Sequence, residues 1–513
     1  MIVIYHDNLK VTKVISNKTG SVPFEYNNKI AEIFIDIAKE FPEELIFWCH
    51  QLYEDNLNLE DVHHFMSHHR MMLSYNPSEN NYFVDAIGYV EQSPFININK
   101  SVKYPTWQMS STVGVIHAAV LNALQKVIQP TLDFDYFLNS LAKLAMPSGL
   151  FCYSEPSLLQ GKYENIAPKC SKFSLYTFVK QHYKLRWLFL LFLNEFIYEK
   201  KISLFPLLQA LFKKSKRNLC VNLKAINVNT NVKNINKGTI DVIIPTIGRK
   251  HYLYNVLCDL KKQTYLPKNV IIVEQNPIKN SKSELDYLTN EDWPFTIKHT
   301  FTHQPGACNA RNVALSQVES EWVFFADDDI RFESRLISEG MNYSEKYNIC
   351  SLITSCLKPE EKIKYKIINQ TTIFGSGFSF VKSSCLKDVV FDMAFEFGYG
   401  EDSDFGMQLR HKGYDIIYFP NLNISHLHAP MGGFRIKPKL AWDNEVIQPK
   451  PSPTIMLLKL KYDSKQQLKG YKTLLFLKLY FKGDFKMPFS FYKSFQEKWN
   501  TSIVWAKKVS NNA

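Results

Sequence analysis

Val323-Phe324-Phe325-Ala326-Asp327-Asp328-Asp329 decides the reading of this chain. An apolar run of the kind buried in a parallel strand stops there in three adjacent carboxylates. Side chains alternate along extended backbone, so Asp327 and Asp329 are expected on one face and Asp328 on the other, giving a paired acidic site at a strand's carboxyl end. Open α/β sheets bind ligands at that end, and clustered carboxylates call for a cation.

Working outward, residues 239–245 read as a short buried strand running into a turn, followed by a helical pattern over 252–262. The β-branched run 270–273 is a second strand, ending at Glu274-Gln275-Asn276-Pro277. Residues 304–312 open a helix that continues through Ser316, directly ahead of the acidic strand. Strand and helix alternate in this way over 238–430, which predicts a mostly parallel α/β sheet. Glu401-Asp402 stands at the start of a further helix, and 423–428 is another strand end, with His426 and His428 on one face if extended.

Six segments stand in order: IDVIIPTIGR (240–249), VIIVEQN (270–276), GACNARNVAL (306–315), WVFFADDDI (322–330), GYGEDSDFGMQLRHKGY (398–414) and NISHLHAP (423–430). Together they resemble glycosyltransferase family 2, the inverting nucleotide-sugar transferases of GT-A fold. The resemblance implies that Asp327-Asp328-Asp329 is a D-x-D motif, with Asp327 toward the nucleotide ribose and Asp329 on a divalent metal. It implies Asp402 as the base, Glu401 as an acceptor contact and His426 as the late histidine of the metal shell. The substrate-binding positions it implies are Pro245, Thr246, Arg249, Glu274, Arg311, Asn312, Asp327, Asp328, Gly377 and Arg435. Gly377 belongs to a small-residue segment under the donor sugar, and Arg435 to a glycine hinge that closes over the diphosphate. The family's second strand usually ends in paired aspartates; here it ends in Glu274-Gln275, which leaves the nucleotide base open.

These residue types suit the chemistry. Hard oxygen ligands hold Mn²⁺ or Mg²⁺ against a diphosphate leaving group, and a carboxylate within hydrogen-bond reach deprotonates the acceptor hydroxyl. The resemblance implies as partners a nucleoside-diphosphate sugar, a UDP-sugar first, and a glycan or lipid-linked acceptor, in bacterial surface polysaccharide assembly.

The remaining sequence divides into a noncatalytic α/β module over 1–170 that is a degenerate GT-A-like copy, a basic helical segment and linker over 171–237, the catalytic domain over 238–440, and a basic, aromatic-rich helical tail over 441–513. Within the first module, residues 1–5 and 44–49 read as strands, and 28–40 and 111–128 as helices. Four histidines at 63, 64, 68 and 69 do not make a metal site, because adjacent pairs on a helix point around it. Nine scattered cysteines without a C-x-x-C pair, and a start without a basic and apolar leader, read as a reduced, cytoplasmic protein. The apolar stretch 187–198 contains Asn194 and Glu195 and falls short of the roughly 20 residues of a membrane span. The formal charge is +12, and residues 451–508 hold twelve lysines against three acids, interleaved with aromatics. That pattern suits either peripheral contact with the cytoplasmic face of a membrane or a solvated basic helix. A basic, aromatic chain also suits nucleic acid, but no nucleic-acid motif accompanies it. A noncatalytic scaffold that binds the donor is the other alternative.

Overall fold

The computed structural model describes the chain except residues 26–27, 84, 126, 132, 164, 167–169, 220, 229–237, 431–438, 484–486 and 512–513. It divides into two compact units, Met1–Val232 with Tyr462–Asp484, and Lys233–Lys461 with Phe485–Ala513.

In the second unit, β-branched and aromatic runs form the sheet. Ile240–Thr246, Asn269–Gln275, Thr296–Thr302 and Trp322–Ala326 are parallel neighbours, with Ile240–Thr246 between Asn269–Gln275 and Trp322–Ala326. Phe378–Lys382 then pairs antiparallel with Trp322–Ala326 and with Ser351–Leu357, and Ile417–His426 continues the sheet parallel to Ser351–Leu357. This is the GT-A arrangement. Helices Lys250–Lys261, Ala307–Leu315, Leu336–Tyr347 and Glu401–His411 alternate with the strands. Val323, Phe324 and Phe325 are fully buried, each contributing roughly 1.5–3 kcal/mol of apolar transfer. Phe324 stacks on Phe380 across the antiparallel pair at 4.4 Å.

Buried charge fixes the register. Asp241 accepts from the Glu319 and Ser320 amides, the Ser320 hydroxyl and Asn269 Nδ2, so it ties the first two strands to the turn ahead of the acidic strand. Asp259 takes Arg331 in a bidentate pair, Nε at 2.6 Å and Nη2 at 2.8 Å, and anchors the strand that follows the acids.

The first unit has its own eight-stranded sheet, with Ile2–His6 and Leu45–His50 parallel at its centre. Its α/β character is as expected, but residues 111–128 do not form one helix. Val113–His117 is a buried strand, and the helix is only Ala118–Leu124. Val113, Val115 and Ile116 are β-branched and pair with strands on both sides, so the sheet wins over helical periodicity. His68 is buried, and His69 stacks on His117 at 3.8 Å. Helix Lys465–Lys482 belongs to this unit: its Gln467 donates to the Ser93 carbonyl and its Thr473 to Asn194 Oδ1. No helix among the described residues is long and apolar enough to cross a membrane.

Candidate active site

The acidic strand ends at Ala326, and the next residues leave extended geometry in a turn. Asp327 and Asp329 nonetheless converge, while Asp328 is held by Thr246 and Arg249. All three line one cavity of about 690 Å³ at the carboxyl ends of the parallel strands, with Pro245, Thr246, Arg249, Gln275, Arg311, Glu401, His426 and His428. The turn is held by its carboxylates. Asp328 accepts from the Thr246 hydroxyl at 2.7 Å and from Arg249 Nη1 at 2.6 Å, and the same Nη1 lies 3.1 Å from Asp329 Oδ2. Asp329 also accepts from the Ala429 amide at 2.9 Å and meets His426 Nε2 at 3.1 Å.

Ligand atoms of Asp327, Asp329 and His426 lie within 4.8 Å of one another. Two carboxylates and an imidazole form a donor set that suits a divalent cation, Mn²⁺ better than Mg²⁺ because of the nitrogen. His428 has left the strand at φ 51 and lies tilted beside His426, with ring centroids 4.1 Å apart. The geometry therefore brings His426, not His428, to the two acids.

Electrostatics divide the acids. Burial pushes Asp328 up to about 6 against the pull of Arg249. Burial also opposes ionisation of Asp329, but the His426 hydrogen bond, Arg249 and the Ala429 amide outweigh it and hold Asp329 below the usual range. The Asp329 hydrogen bond raises His426. Arg311, nearly buried, donates to Asp327 Oδ1 at 3.2 Å and lies over the Phe391 ring.

Glu401 and Asp402 open helix Glu401–His411, where acids complement the positive end of the helix. Glu401 lines the cavity and Asp402 does not. Asp402 is hydrogen-bonded by the Ser376 hydroxyl and amide, and its Oδ1 is buried without a partner among the described residues. Burial raises both carboxyls, and each charge is felt by Arg311.

Other expected substrate contacts are engaged elsewhere. Glu274 accepts from the Glu284 amide and meets His299 at 3.0 Å, and Gln275 lines the cavity instead. Asn312 exchanges hydrogen bonds with the Phe391 backbone and so pins the wall that carries Arg311. Gly377 sits against Asp327, and Arg435 lies outside the described residues.

Two residues were not legible in advance. Glu396 accepts from the Cys308 and Asn309 amides at the start of helix Ala307–Leu315 and lines the cavity. Gly306, at φ 142, leaves room for that carboxylate, which a Cβ would overlap. Ser376 is the other: it belongs to the small-residue segment expected under the donor sugar, but its place beside Asp402 carries no signal until the fold sets it there.

Residues 241–399 match the family model described as Glycosyl transferase family 2. No curated protein matches this chain. Among solved structures, S. aureus TarS 1–349 is 19% identical over 37% of this chain and 60% of that one, with a TM-score of 0.31. TarS 1–349 in complex with UDP-GlcNAc is 18% identical over 47% of this chain and 71% of that one, with a TM-score of 0.34. The mannosyltransferase PcManGT from Pyrobaculum calidifontis, in complex with GDP-Man and Mn²⁺, is 15% identical over 53% and 74%, with a TM-score of 0.31.

Proposed function

We propose that this chain, whose residues 241–399 are a glycosyl transferase family 2 domain, moves a sugar with inversion from a nucleoside-diphosphate sugar to a hydroxyl of a glycan or lipid-linked acceptor. The observation that carries this reading is the convergence of Asp327, Asp329 and His426 in the cavity that Glu401 also lines. Those three residues would hold Mn²⁺ or Mg²⁺, which supplies charge stabilisation for a departing diphosphate. A UDP-sugar, a surface-polysaccharide pathway and the cytoplasmic face of a membrane complete the proposal.

The chain's own groups have distinct tasks. Arg249, already between Asp328 and Asp329, places a fixed guanidinium where diphosphate oxygens arrive. Arg311 holds Asp327 toward the ribose. Asp402 is assigned the base by the family resemblance: Ser376 hydrogen-bonds its carboxyl, and Oδ1, buried without a partner among the described residues, would take the acceptor proton once the acceptor reaches it. Glu401 binds the acceptor from the cavity wall. The displacement is a single in-line step with no covalent sugar.

Asp329→Ala is expected to abolish both transfer and the metal-dependent thermal shift produced by a nucleoside diphosphate. Asp402→Asn should keep that thermal shift and lower turnover by about 10²–10⁴-fold. Wild-type transfer rates in either variant overturn the assignment. Glu401→Gln separates the two acids: it should raise the acceptor KM more than it lowers kcat.

A further inference from the structure

In the first unit, helix Leu204–Leu211 turns apolar side chains to solvent. Pro206, Leu207 and Ala210 face inward, yet Leu204, Phe205 and Leu208 are exposed, with Ile202 before them and Phe212 after them. Phe205 is 78% exposed and Phe212 88%, and they stand in one run with Ile202, Leu204, Leu208 and Leu211 rather than singly. Exposed Lys200, Lys213 and Lys214 bracket the face, with Lys201 paired to Glu199 at 2.8 Å, and no acid lies between residues 200 and 219. A short helix with an apolar outer face and ammonium groups at both ends fits a bilayer interface, rings in the acyl boundary and lysines on anionic headgroups. A second copy of the chain is disfavoured, because a self-complementary contact of this face sets lysines against lysines.

We propose that residues 200–214 seat the first unit on an anionic lipid surface. The test is co-sedimentation of the full chain with phosphatidylcholine vesicles, with and without phosphatidylglycerol. Wild type should pellet with the anionic vesicles and be released by salt. Phe205→Ser with Phe212→Ser, and separately Lys213→Glu with Lys214→Glu, should weaken partition roughly tenfold or more at unchanged circular dichroism. Variants that pellet like wild type, or a wild type that binds no vesicle, overturn the proposal. So does a wild-type dimer that the serine pair makes monomeric.

A separate observation concerns the two sheets. In the first unit the strands Ile2–His6, Leu45–His50, Val113–His117, Met71–Tyr75, Phe151–Ser154 and Tyr104–Pro105 are neighbours in that order, related as parallel, antiparallel, antiparallel, parallel and antiparallel. In the second unit Ile240–Thr246, Trp322–Ala326, Phe378–Lys382, Ser351–Leu357, Ile417–His426 and Asn369–Gln370 follow the same order and the same senses. The registers coincide. Cys49 pairs with Val113 as Ala326 pairs with Phe378, and Leu73 faces Val115 and Tyr153 as Leu352 faces Phe380 and Ile417. Single amides repeat too: His50 donates to the Thr112 carbonyl as Asp327 does to Gly377, and Thr106 to Cys152 as Thr371 does to Ile416.

This register carries over to the chemistry. Asp135 is the second residue of helix Phe134–Ala145, and it accepts from the Ser111 amide at 2.7 Å and the Ser111 hydroxyl at 2.9 Å. Asp402 is the second residue of its helix and is held by the same two groups of Ser376. The position of Asp327 is taken by His50, that of Asp329 by Leu52 and that of Glu401 by Phe134. The His6 ring, fully buried, lies edge-on to His50 and Phe134, at 5.7 and 5.5 Å.

We infer that the first unit is a second copy of the transferase sheet, with its metal and donor positions lost and its base position kept as a buried structural carboxyl. The donor part of this inference rests on the proposed function. Calorimetry of the full chain with a nucleoside diphosphate and Mn²⁺ should give one site, absent in Asp329→Ala, and Asp135→Asn should transfer within about twofold of wild type. Two sites, or a folded Asp135→Asn that loses transfer tenfold, overturn the inference. Absence of any nucleotide site would instead sink the donor reading, and unfolding then decides the place of Asp135. Burial pushes Asp135 up to about 6 beside Asp133, so the wild-type fold loses stability between the ordinary Asp value and that pH, while buried His6 stays neutral. Melting of Asp135→Asn relative to wild type should therefore shift upward from pH 4 to pH 7, and a constant difference overturns the assignment of Asp135 as the kept, buried carboxyl.

Discussion

Asp327 owes its position to a neighbour without a side chain. A Cβ at Gly377 would overlap the Asp327 carboxylate, and Gly377 has no positive φ to demand glycine, so the requirement is space alone. Gly377→Ala should therefore turn Asp327 aside and weaken Mn²⁺ binding about tenfold, while moving the melting temperature little; calorimetric titration with Mn²⁺ checks it. The three acids were legible because a buried apolar strand rarely ends in a charged triplet. That Asp328 would share the cavity of Asp327 and Asp329 was not, since residues 327–329 leave extended geometry after Ala326. Glu396, Ser376 and the diversion of Glu274 to His299 were invisible for another reason: each depends on a partner brought from far along the chain.

At the scale of elements, the acidic turn is clamped from behind by the Asp259–Arg331 pair, which ties helix Lys250–Lys261 to strand Ile330–Phe332. Arg331 is partly exposed but Asp259 is buried, so Arg331→Ala should cost about 1–3 kcal/mol in denaturant unfolding. Metal affinity should also fall by roughly tenfold or more, because the strand that aligns with His426 loses its anchor. Equal affinity in variant and wild type would remove the clamp from the account. The strand and helix alternation of 238–430 was readable because buried parallel strands are continuous apolar runs separated by helical patterns. Residues 111–128 were not, since Val113-Gly114-Val115-Ile116 runs directly into an alanine-rich helix and the apolar spacing fits either structure.

Across the whole molecule, each unit has its own sheet and its own buried charge. In the first, Glu91 lies between Lys143 and the Tyr183 hydroxyl, and although burial opposes ionisation, those partners hold its carboxyl below the usual range. Its contribution is complete above the ordinary Glu value and is lost as pH falls through the lowered one. Glu91→Gln should thus destabilise by about 3 kcal/mol at neutral pH and by progressively less in acid, as read by urea unfolding at several pH values. The chain passes from one unit to the other after residues 232, 461 and 484. Neither half can accordingly be cut free as one uninterrupted piece. A fragment stopping at Val232 forfeits the late helix whose Gly470 lies against the Tyr89 backbone, and the first unit cannot close until residues beyond 470 have left the ribosome.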